Sequence, residues 1–442
     1  MLGALPARAG EPLRLPGGGR LGTPAILRPA DAPQAVIYLF SGLDGWTRVM
    51  QETAEALVDE GAVVVPIDSS LYRRALDADA GECLYLIGEI ENSSRILEEK
   101  LGITTYLSPI LAGTGFGSGV AYAALAQAPA ATIAGALSDG LVTEVTTRIP
   151  LCAGAAATGD ATRGYTYAPV ARLPGFWRIG VRPHRRDFDR SAPYAAANDK
   201  TVRVLLADAP LADRMRELFT QALAENMETV ADSLPLVELE SAGPAAGDDG
   251  DLLAVIYSGD GGWRDLDKQI GEYLAGHGVA TVGVDSLRYF WTERSPKSMA
   301  ADLEDIVRTY GDRWNRKRLL LIGYSFGADM LPFIVGRLSP ETRARIARIG
   351  LLGLAEAAAT TVGIGEWLGV ADPDELHPVA PEIARLDGLD VLCVMGKEET
   401  ASGCRNPVFD RFTRYVTEGG HHFDGGYEAI ADRLLSGIRP SP

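Results

Sequence analysis

The chain has 442 residues, with 42 Lys and Arg against 59 Asp and Glu, which gives a formal net charge of −17. An acidic chain without a block of basic residues has no electrostatic footprint for DNA or RNA, which excludes nucleic-acid binding. Apolar runs end at Gly, Pro or charged residues well before the roughly 20 residues of a membrane helix, so we expect no transmembrane segment.

The chain contains an internal repeat. An apolar run leads into Phe40-Ser41-Gly42-Leu43-Asp44-Gly45-Trp46, and another leads into Tyr257-Ser258-Gly259-Asp260-Gly261-Gly262-Trp263, at an offset of 217 residues. Leu111-Ala112-Gly113-Thr114-Gly115-Phe116-Gly117 matches Leu321-Ile322-Gly323-Tyr324-Ser325-Phe326-Gly327 at an offset of 210. A period this long indicates tandem duplication, because solenoid repeats run roughly 20 to 50 residues. We predict two copies of one domain, residues 1–240 and 251–442, joined by a linker of small and polar residues at 241–250.

The first copy has lost the residues that carry chemistry in the second. Gly115 stands where the second copy has Ser325, and His184 lies between arginines in a segment typical of a solvated face. We expect this copy to keep the fold and to support the second domain, cover it, bind substrate or recruit a partner. Cys83 and Cys152 permit one disulfide in this half, and four buried free thiols along the chain are the alternative.

In the second copy, short apolar runs alternate with helical patterns. Strands are predicted near 253–257, 279–284 and 318–322, and helices near 264–276, 298–310 and 328–338. This alternation predicts a parallel, doubly wound sheet with helices on both faces, and ligands then bind beyond the carboxyl ends of the strands.

The pentapeptide Gly323-Tyr324-Ser325-Phe326-Gly327 follows a predicted strand and precedes a predicted helix. Strand, sharp turn and helix are the context of a nucleophile elbow, which predicts Ser325 as a nucleophile rather than a helix-capping serine. The amide of Phe326 is a predicted oxyanion donor, together with Gly259 and Asp260 in the loop after the first strand. That loop lacks the spacing of phosphate-binding loops.

In α/β-hydrolases the acid and then the histidine base follow the nucleophile along the chain, so we expect both after Ser325. The loop Gly419-Gly420-His421-His422-Phe423 favours His421 as the base, with His422 as the alternative. The two histidines do not indicate a metal site, because nothing nearby supplies a third ligand. The predicted chemistry requires no cofactor. The turn after Met395 favours Glu399 as the acid over Glu398, while Asp390 is expected at the start of the strand. Cys393 and Cys404 flank this turn, where a disulfide or packed thiols are both possible.

Together, Ser258-Gly259-Asp260-Gly261-Gly262-Trp263, Asp285-Ser286-Leu287, Gly323 to Asp329 and Gly420-His421-His422-Phe423-Asp424-Gly425 resemble the bacterial virulence protein family VirJ/AcvB. The two-domain length is similar to the AcvB form. The resemblance implies an α/β-hydrolase fold in both copies, a periplasmic location with a signal peptide that residues 1–22 do not provide, oxidised cysteines, and roles in virulence and acid tolerance. It also implies hydrolysis of aminoacyl-phosphatidylglycerol, chiefly the lysyl form, at a membrane surface. The turn with the predicted acid departs from the family pattern, because Thr400 and Ala401 stand where further acidic residues are expected.

A cationic aminoacyl ester would suit an acidic site, which suggests Asp260 and Asp329 as substrate-binding residues. Trp263 and Trp291 are further candidates, and Tyr289-Phe290-Trp291 with Trp367 could form an apolar lid. We predict two-step acyl transfer from Ser325. The alternatives are another serine esterase, lipase or peptidase, or a periplasmic binding or secretion-assembly protein with a vestigial triad and secretion-system partners.

Overall fold

The computed structural model describes residues 13–129, 132–182, 187–197, 201–230, 234–241, 250–359 and 376–438. The chain divides into two compact units, Met1–Ala231 and Asp232–Pro442. Within the described residues, no helix combines the length and the apolar character needed to cross a bilayer.

Unit 1 is an α/β unit. Its strands are β1 (Ala35–Phe40), β2 (Ala62–Ile67), β3 (Ile110–Thr114), β4 (Gly135–Asp139), β5 (Glu144–Val145), β6 (Ala157–Asp160), β7 (Gly164–Tyr167), β8 (Phe176–Val181) and β9 (Val202–Leu206). Its helices are α1 (Arg48–Asp59), α2 (Ser69–Asp77), α3 (Ile87–Leu101), α4 (Phe116–Gln127), α5 (Asp187–Ala197) and α6 (Leu211–Val230). A parallel sheet runs in the order β2-β1-β3-β4-β8-β9, and β5, β7 and β6 form a small antiparallel sheet.

The main sheet of unit 1 is buried on both faces. All six residues of β1 are buried. Val36, Tyr38 and Phe40 belong to one hydrophobic core, and the intervening residues of β1 belong to a second. Successive side chains of a strand point to opposite faces, so helices must cover both sides of this sheet.

Unit 2 repeats this architecture. Its strands are β10 (Leu236–Leu239), β11 (Leu252–Tyr257), β12 (Ala280–Val284), β13 (Arg318–Tyr324), β14 (Ile346–Leu352), β15 (Ala357–Ala358), β16 (His377–Pro378), β17 (Val391–Gly396) and β18 (Thr413–Thr417). Its described helices are α7 (Asp265–Gly276), α8 (Ser286–Tyr289), α9 (Pro296–Arg313), α10 (Phe326–Val335), α11 (Pro340–Ala344), α12 (Ala380–Ala384) and α13 (Tyr427–Leu435). The main sheet runs β10-β12-β11-β13-β14-β17-β18, with β10 antiparallel and the other strands parallel. The predicted fold class is therefore confirmed.

The order of the strands reverses between β11 and β13. The chain passes from β11 to β12 on one side and then returns to β13 on the other side. Such a switch point opens a crevice at the carboxyl ends of the strands, where ligands bind in open α/β sheets. The predicted site residues follow these strand ends.

The predicted domain boundary is displaced. Residues 236–239 were assigned to the first domain, yet β10 pairs with β12 in the sheet of unit 2, with Leu236 opposite Val284. In unit 1 the corresponding position beside β2 holds only the antiparallel bridge of Leu27 to Val64, so the matched sequence motifs do not include this strand. Of the predicted linker, residues 242–249 lie outside the described residues.

Both halves contain a disulfide, which decides against the alternative of four free thiols. Cys83 bonds to Cys152 in unit 1, and Cys393 bonds to Cys404 in unit 2. The second bond joins β17 to the segment that follows the predicted acid turn. It therefore restrains the chain on both sides of Glu399.

Candidate active site

Ser325 occupies a sharp turn between β13 and α10. Its backbone lies at φ 51° and ψ −121°, a region that residues with a side chain rarely adopt. A Cβ atom on Gly323 would lie 2.4 Å from the carbonyl oxygen of Gly327, and one on Gly327 would lie 2.2 Å from the carbonyl oxygen of Tyr257. Only glycine fits at both positions, and this close packing holds Ser325 at the edge of the sheet.

The structure brings Ser325, His421 and Glu399 into one hydrogen-bonded line. Nε2 of His421 lies 2.8 Å from Oγ of Ser325, and Nδ1 lies 2.6 Å from Oε1 of Glu399. The second carboxylate oxygen, Oε2, accepts the N–H of Gly396 at 2.6 Å. The Glu399 side chain is 12% exposed and that of His421 is 41% exposed. Glu399 is thus fixed at both oxygens, and the imidazole is oriented towards the hydroxyl.

The alternative acids and base lie outside this line. Glu398 is exposed on the protein surface. His422 is also exposed, and its Nδ1 lies 3.1 Å from the hydroxyl of Tyr324. Asp390, at the start of β17, pairs with Arg348 at 2.8 Å. The hydrogen bond to Ser325 therefore distinguishes His421 from His422, and the hydrogen bond to His421 distinguishes Glu399 from Glu398.

Gly353, just after β14, lies against the imidazole of His421. The residue has φ 65°, and a Cβ atom there would come within 2.7 Å of Cε1 and 3.0 Å of Nδ1. Sequence reasoning missed this residue because the contact spans 68 positions along the chain. Gly140 stands at the end of β4 in unit 1 and also has a positive φ, so a comparison of the two copies could have found it.

We expect Gly353→Ala to lower kcat/KM for ester hydrolysis by about 100-fold, because misplacement of a catalytic group by about 1 Å has that effect. Gly388→Ala is the matched control, since Gly388 also has a positive φ, of 81°, but nothing lies within 4 Å of its added Cβ. Steady-state kinetics and thermal unfolding of both variants test this expectation. Equal losses of activity would show that backbone strain, and not displacement of His421, is the cause.

The loop after β11 supplies the candidate oxyanion donors. A Cβ atom on Gly259 would lie 3.6 Å from Cβ of Ser325, so this loop lies beside the nucleophile. The N–H of Gly259 donates to the carboxyl group of Asp267, so it is less available to an oxyanion than the other predicted donors. The remaining candidates are the amide of Asp260 and the amide of Phe326 in the first turn of α10, where backbone N–H groups lack intrahelical partners.

Tyr324 connects the nucleophile elbow to the histidine loop. Its hydroxyl donates to the carbonyl oxygen of His421 at 3.3 Å, and its ring lies 5.3 Å from the imidazole. Burial and nearby carboxylates, including those of Asp267 and Asp260, raise the pKa of Tyr324. The phenol therefore stays protonated and remains a hydrogen-bond donor.

Two of the predicted substrate-binding residues make structural contacts. Trp263 is 1% exposed, and its ring fills the space that Gly271 and Gly283 leave open, so its assignment to the substrate is wrong. Asp329 accepts the N–H of Ala355 at 2.7 Å, which anchors the segment after β14.

The predicted aromatic lid is also largely absent. Tyr289 and Phe290 are buried in the core of unit 2. Trp291 is half-buried, as is Asp260, and their contact with substrate stays a prediction. Trp367 lies outside the described residues.

Unit 1 keeps the backbone of the elbow without its nucleophile. Gly115 has φ 53° and ψ −123°, which match the angles of Ser325 within a few degrees. No histidine occurs between β9 and residue 231. At this edge Arg214 instead forms an ion pair with Asp139 at 2.5 Å. His184 lies outside the described residues.

In the part of the chain that the structure describes, no cluster of three His, Cys, Asp or Glu side chains could hold a metal ion.

Residues 251–441 match the model of the bacterial virulence protein (VirJ) family. No curated protein matches the chain. Several solved structures are similar to this one. Proline iminopeptidase from Mycobacterium smegmatis is 11% identical in sequence, the match covers 45% of this chain and 93% of that chain, and the TM-score is 0.32. The naproxen esterase from Bacillus subtilis has 13% identity, covers 49% of this chain and 95% of its own, and has a TM-score of 0.31. A putative dienelactone hydrolase from Klebsiella pneumoniae is 11% identical in sequence, the match covers 46% of this chain and 98% of that chain, and the TM-score is 0.33. The expected resemblance to the VirJ family is thus confirmed for residues 251–441.

Proposed function

We propose that unit 2 is a serine hydrolase that cleaves the aminoacyl ester of aminoacyl-phosphatidylglycerol, with a lysyl or alanyl group. The observation that carries the hydrolase assignment is the line from Ser325 through His421 to Glu399, with distances of 2.8 and 2.6 Å. The lipid substrate is supported by the resemblance to VirJ/AcvB.

The reaction proceeds by acyl transfer in two steps. His421 accepts the proton of Ser325 as Oγ attacks the ester carbonyl carbon, and Glu399 stabilises the imidazolium that forms. The amides of Phe326 and Asp260 stabilise the oxyanion. Phosphatidylglycerol leaves as its glycerol oxygen takes the proton from His421. Water, deprotonated by His421, then attacks the acyl-enzyme and releases the free amino acid.

The charge of unit 2 favours a cationic substrate. Residues 232–442 contain 33 Asp and Glu against 21 Lys and Arg. Asp260 is half-buried in the oxyanion loop, where its carboxylate could pair with the substrate ammonium group. An acidic surface raises the local concentration of cations, which favours the lysyl ester over uncharged esters.

We also propose a periplasmic location. Disulfides persist in oxidising compartments and are rare in the cytosol, and both cysteine pairs of this chain are bonded. In the periplasm the enzyme would reach lipid headgroups at the membrane surface.

The test is the release of free lysine from vesicles that contain lysyl-phosphatidylglycerol. We expect release by the wild-type protein and a loss on the order of 10⁶-fold in kcat for Ser325→Ala, as for serine hydrolases that lose the nucleophile. Alanyl-phosphatidylglycerol and a neutral p-nitrophenyl ester, measured in parallel, report the preference for charge.

The other outcomes separate the alternatives. Failure to release lysine, with Ser325 still labelled by a fluorophosphonate, would contradict the lipid substrate and favour another serine esterase, lipase or peptidase. A wild-type protein that neither hydrolyses esters nor reacts with the fluorophosphonate would contradict the enzyme assignment. It would favour a binding or secretion-assembly protein with a vestigial triad.

A further inference from the structure

Unit 2 buries a carboxylic acid directly behind the oxyanion loop. Asp267, in the first turn of α7, is 2% exposed. Its carboxyl group accepts the N–H of Gly259, and its Oδ1 atom has no hydrogen-bond partner among the described residues. Because Gly259 lies beside Ser325, this acid contacts the backbone that faces the reacting atoms.

Unit 1 shows what the fold requires at this position. The offset of 217 residues places Met50 opposite Asp267, and Met50 is 3% exposed in the first turn of α1. An apolar side chain therefore satisfies the packing, whereas burial of an acid costs free energy. The acid occurs in the copy that has Ser325 and is absent from the copy that has Gly115. Asp267 therefore accompanies the nucleophile, and the fold alone does not require an acid at this position.

We propose that Asp267 is a positioning residue for the oxyanion hole. By accepting the N–H of Gly259 it fixes the peptide plane of this loop, so that the next amide, that of Asp260, points with Phe326 at the developing oxyanion. The inference rests on the proposed function, because an oxyanion hole has a role only if Ser325 attacks an acyl group.

The surroundings favour the neutral form of this acid. Burial, and then the carboxylates of Asp285 and Asp265, raise the pKa of Asp267 well above its ordinary value. The phenols of Tyr324 and Tyr427 lie on the adjoining elements, and the guanidinium of Arg264 lies over Gly261.

A neutral carboxyl group accepts the Gly259 N–H without adding a negative charge next to the oxyanion. Above its pKa the ionised acid would repel the oxyanion, so the rate of attack by Ser325 should fall as the pH rises. The same sign applies to stability, because an acid whose pKa is raised in the folded state lowers the stability of the fold as the pH rises from its unfolded pKa to its folded pKa.

The test compares Asp267→Asn, which keeps a neutral acceptor, with Asp267→Met, which installs the residue of unit 1. The readout is the rate of Ser325 modification by a fluorophosphonate at pH 7, which does not depend on the natural substrate. At pH 7 we expect Asp267→Met to react about 10- to 100-fold more slowly than the wild type, a loss similar to removal of an oxyanion donor or somewhat smaller. We expect Asp267→Asn to recover most of this loss, because its amide oxygen is still a neutral acceptor.

Glu272→Gln is the matched control, since Glu272 lies on the exposed side of α7, and we expect it to behave as the wild type. Equal losses in the two Asp267 variants would overturn the inference. A wild-type protein that does not react at all would instead contradict the proposed function.

Discussion

Replacement of His421 by Gln should lower kcat/KM for ester hydrolysis by on the order of 10⁴-fold or more, whereas His422→Gln should lower it by no more than about threefold. The imidazole of His421 contacts Oγ of Ser325, so its loss leaves no group to accept the serine proton. His422 contacts only the hydroxyl of Tyr324 among the hydrogen bonds of its side chain that the structure describes. Steady-state kinetics on a p-nitrophenyl ester provides the measurement.

The two variants control for each other, because the substitutions are the same and the positions are adjacent. Thermal unfolding should place both within a few degrees of the wild type. If His422→Gln lost as much activity as His421→Gln, the loop as a whole and not one imidazole would determine the rate. If His422→Gln alone lost activity, the assignment of the base would be wrong.

The second large effect concerns the acid. Glu399→Gln should lower kcat by about 10³- to 10⁴-fold, since an amide in this position favours the wrong imidazole tautomer and does not stabilise the imidazolium. The geometry is expected to persist, because the amide oxygen of Gln can still accept the N–H of Gly396.

Glu398→Gln is the matched control for the acid and should retain activity within about threefold, since Glu398 is exposed and has no hydrogen bond to His421. The two variants are compared by the rate of acyl-enzyme formation in single-turnover experiments. Similar losses in both would indicate that the charge of the turn, and not the contact with Nδ1, supports the imidazole. Full activity in Glu399→Gln would contradict the triad.

The errors of the sequence reasoning have physical causes. Trp263 follows a Gly-rich loop at the carboxyl end of a strand, a position typical of ligand contacts, yet its ring fills a space bounded by Gly271 and Gly283. These glycines come from two other elements, so only their packing shows that the ring lies in the core. Asp267 had a signal in the sequence, since the repeat places an acid opposite Met50, but its contact with Gly259 could not be read from spacing.

The sequence by itself determined the duplication, the fold class and the position of Ser325. These follow from local patterns, since a strand, a turn of glycines and a helix are contiguous, and the offset between the copies is read directly. Only the tertiary structure decided between His421 and His422, and between Glu399 and Glu398. Adjacent residues share their sequence context, but their side chains point in different directions, and the contacts that distinguish them join residues 22 and 96 positions apart. The path of the chain between those positions decides which side chain meets Ser325.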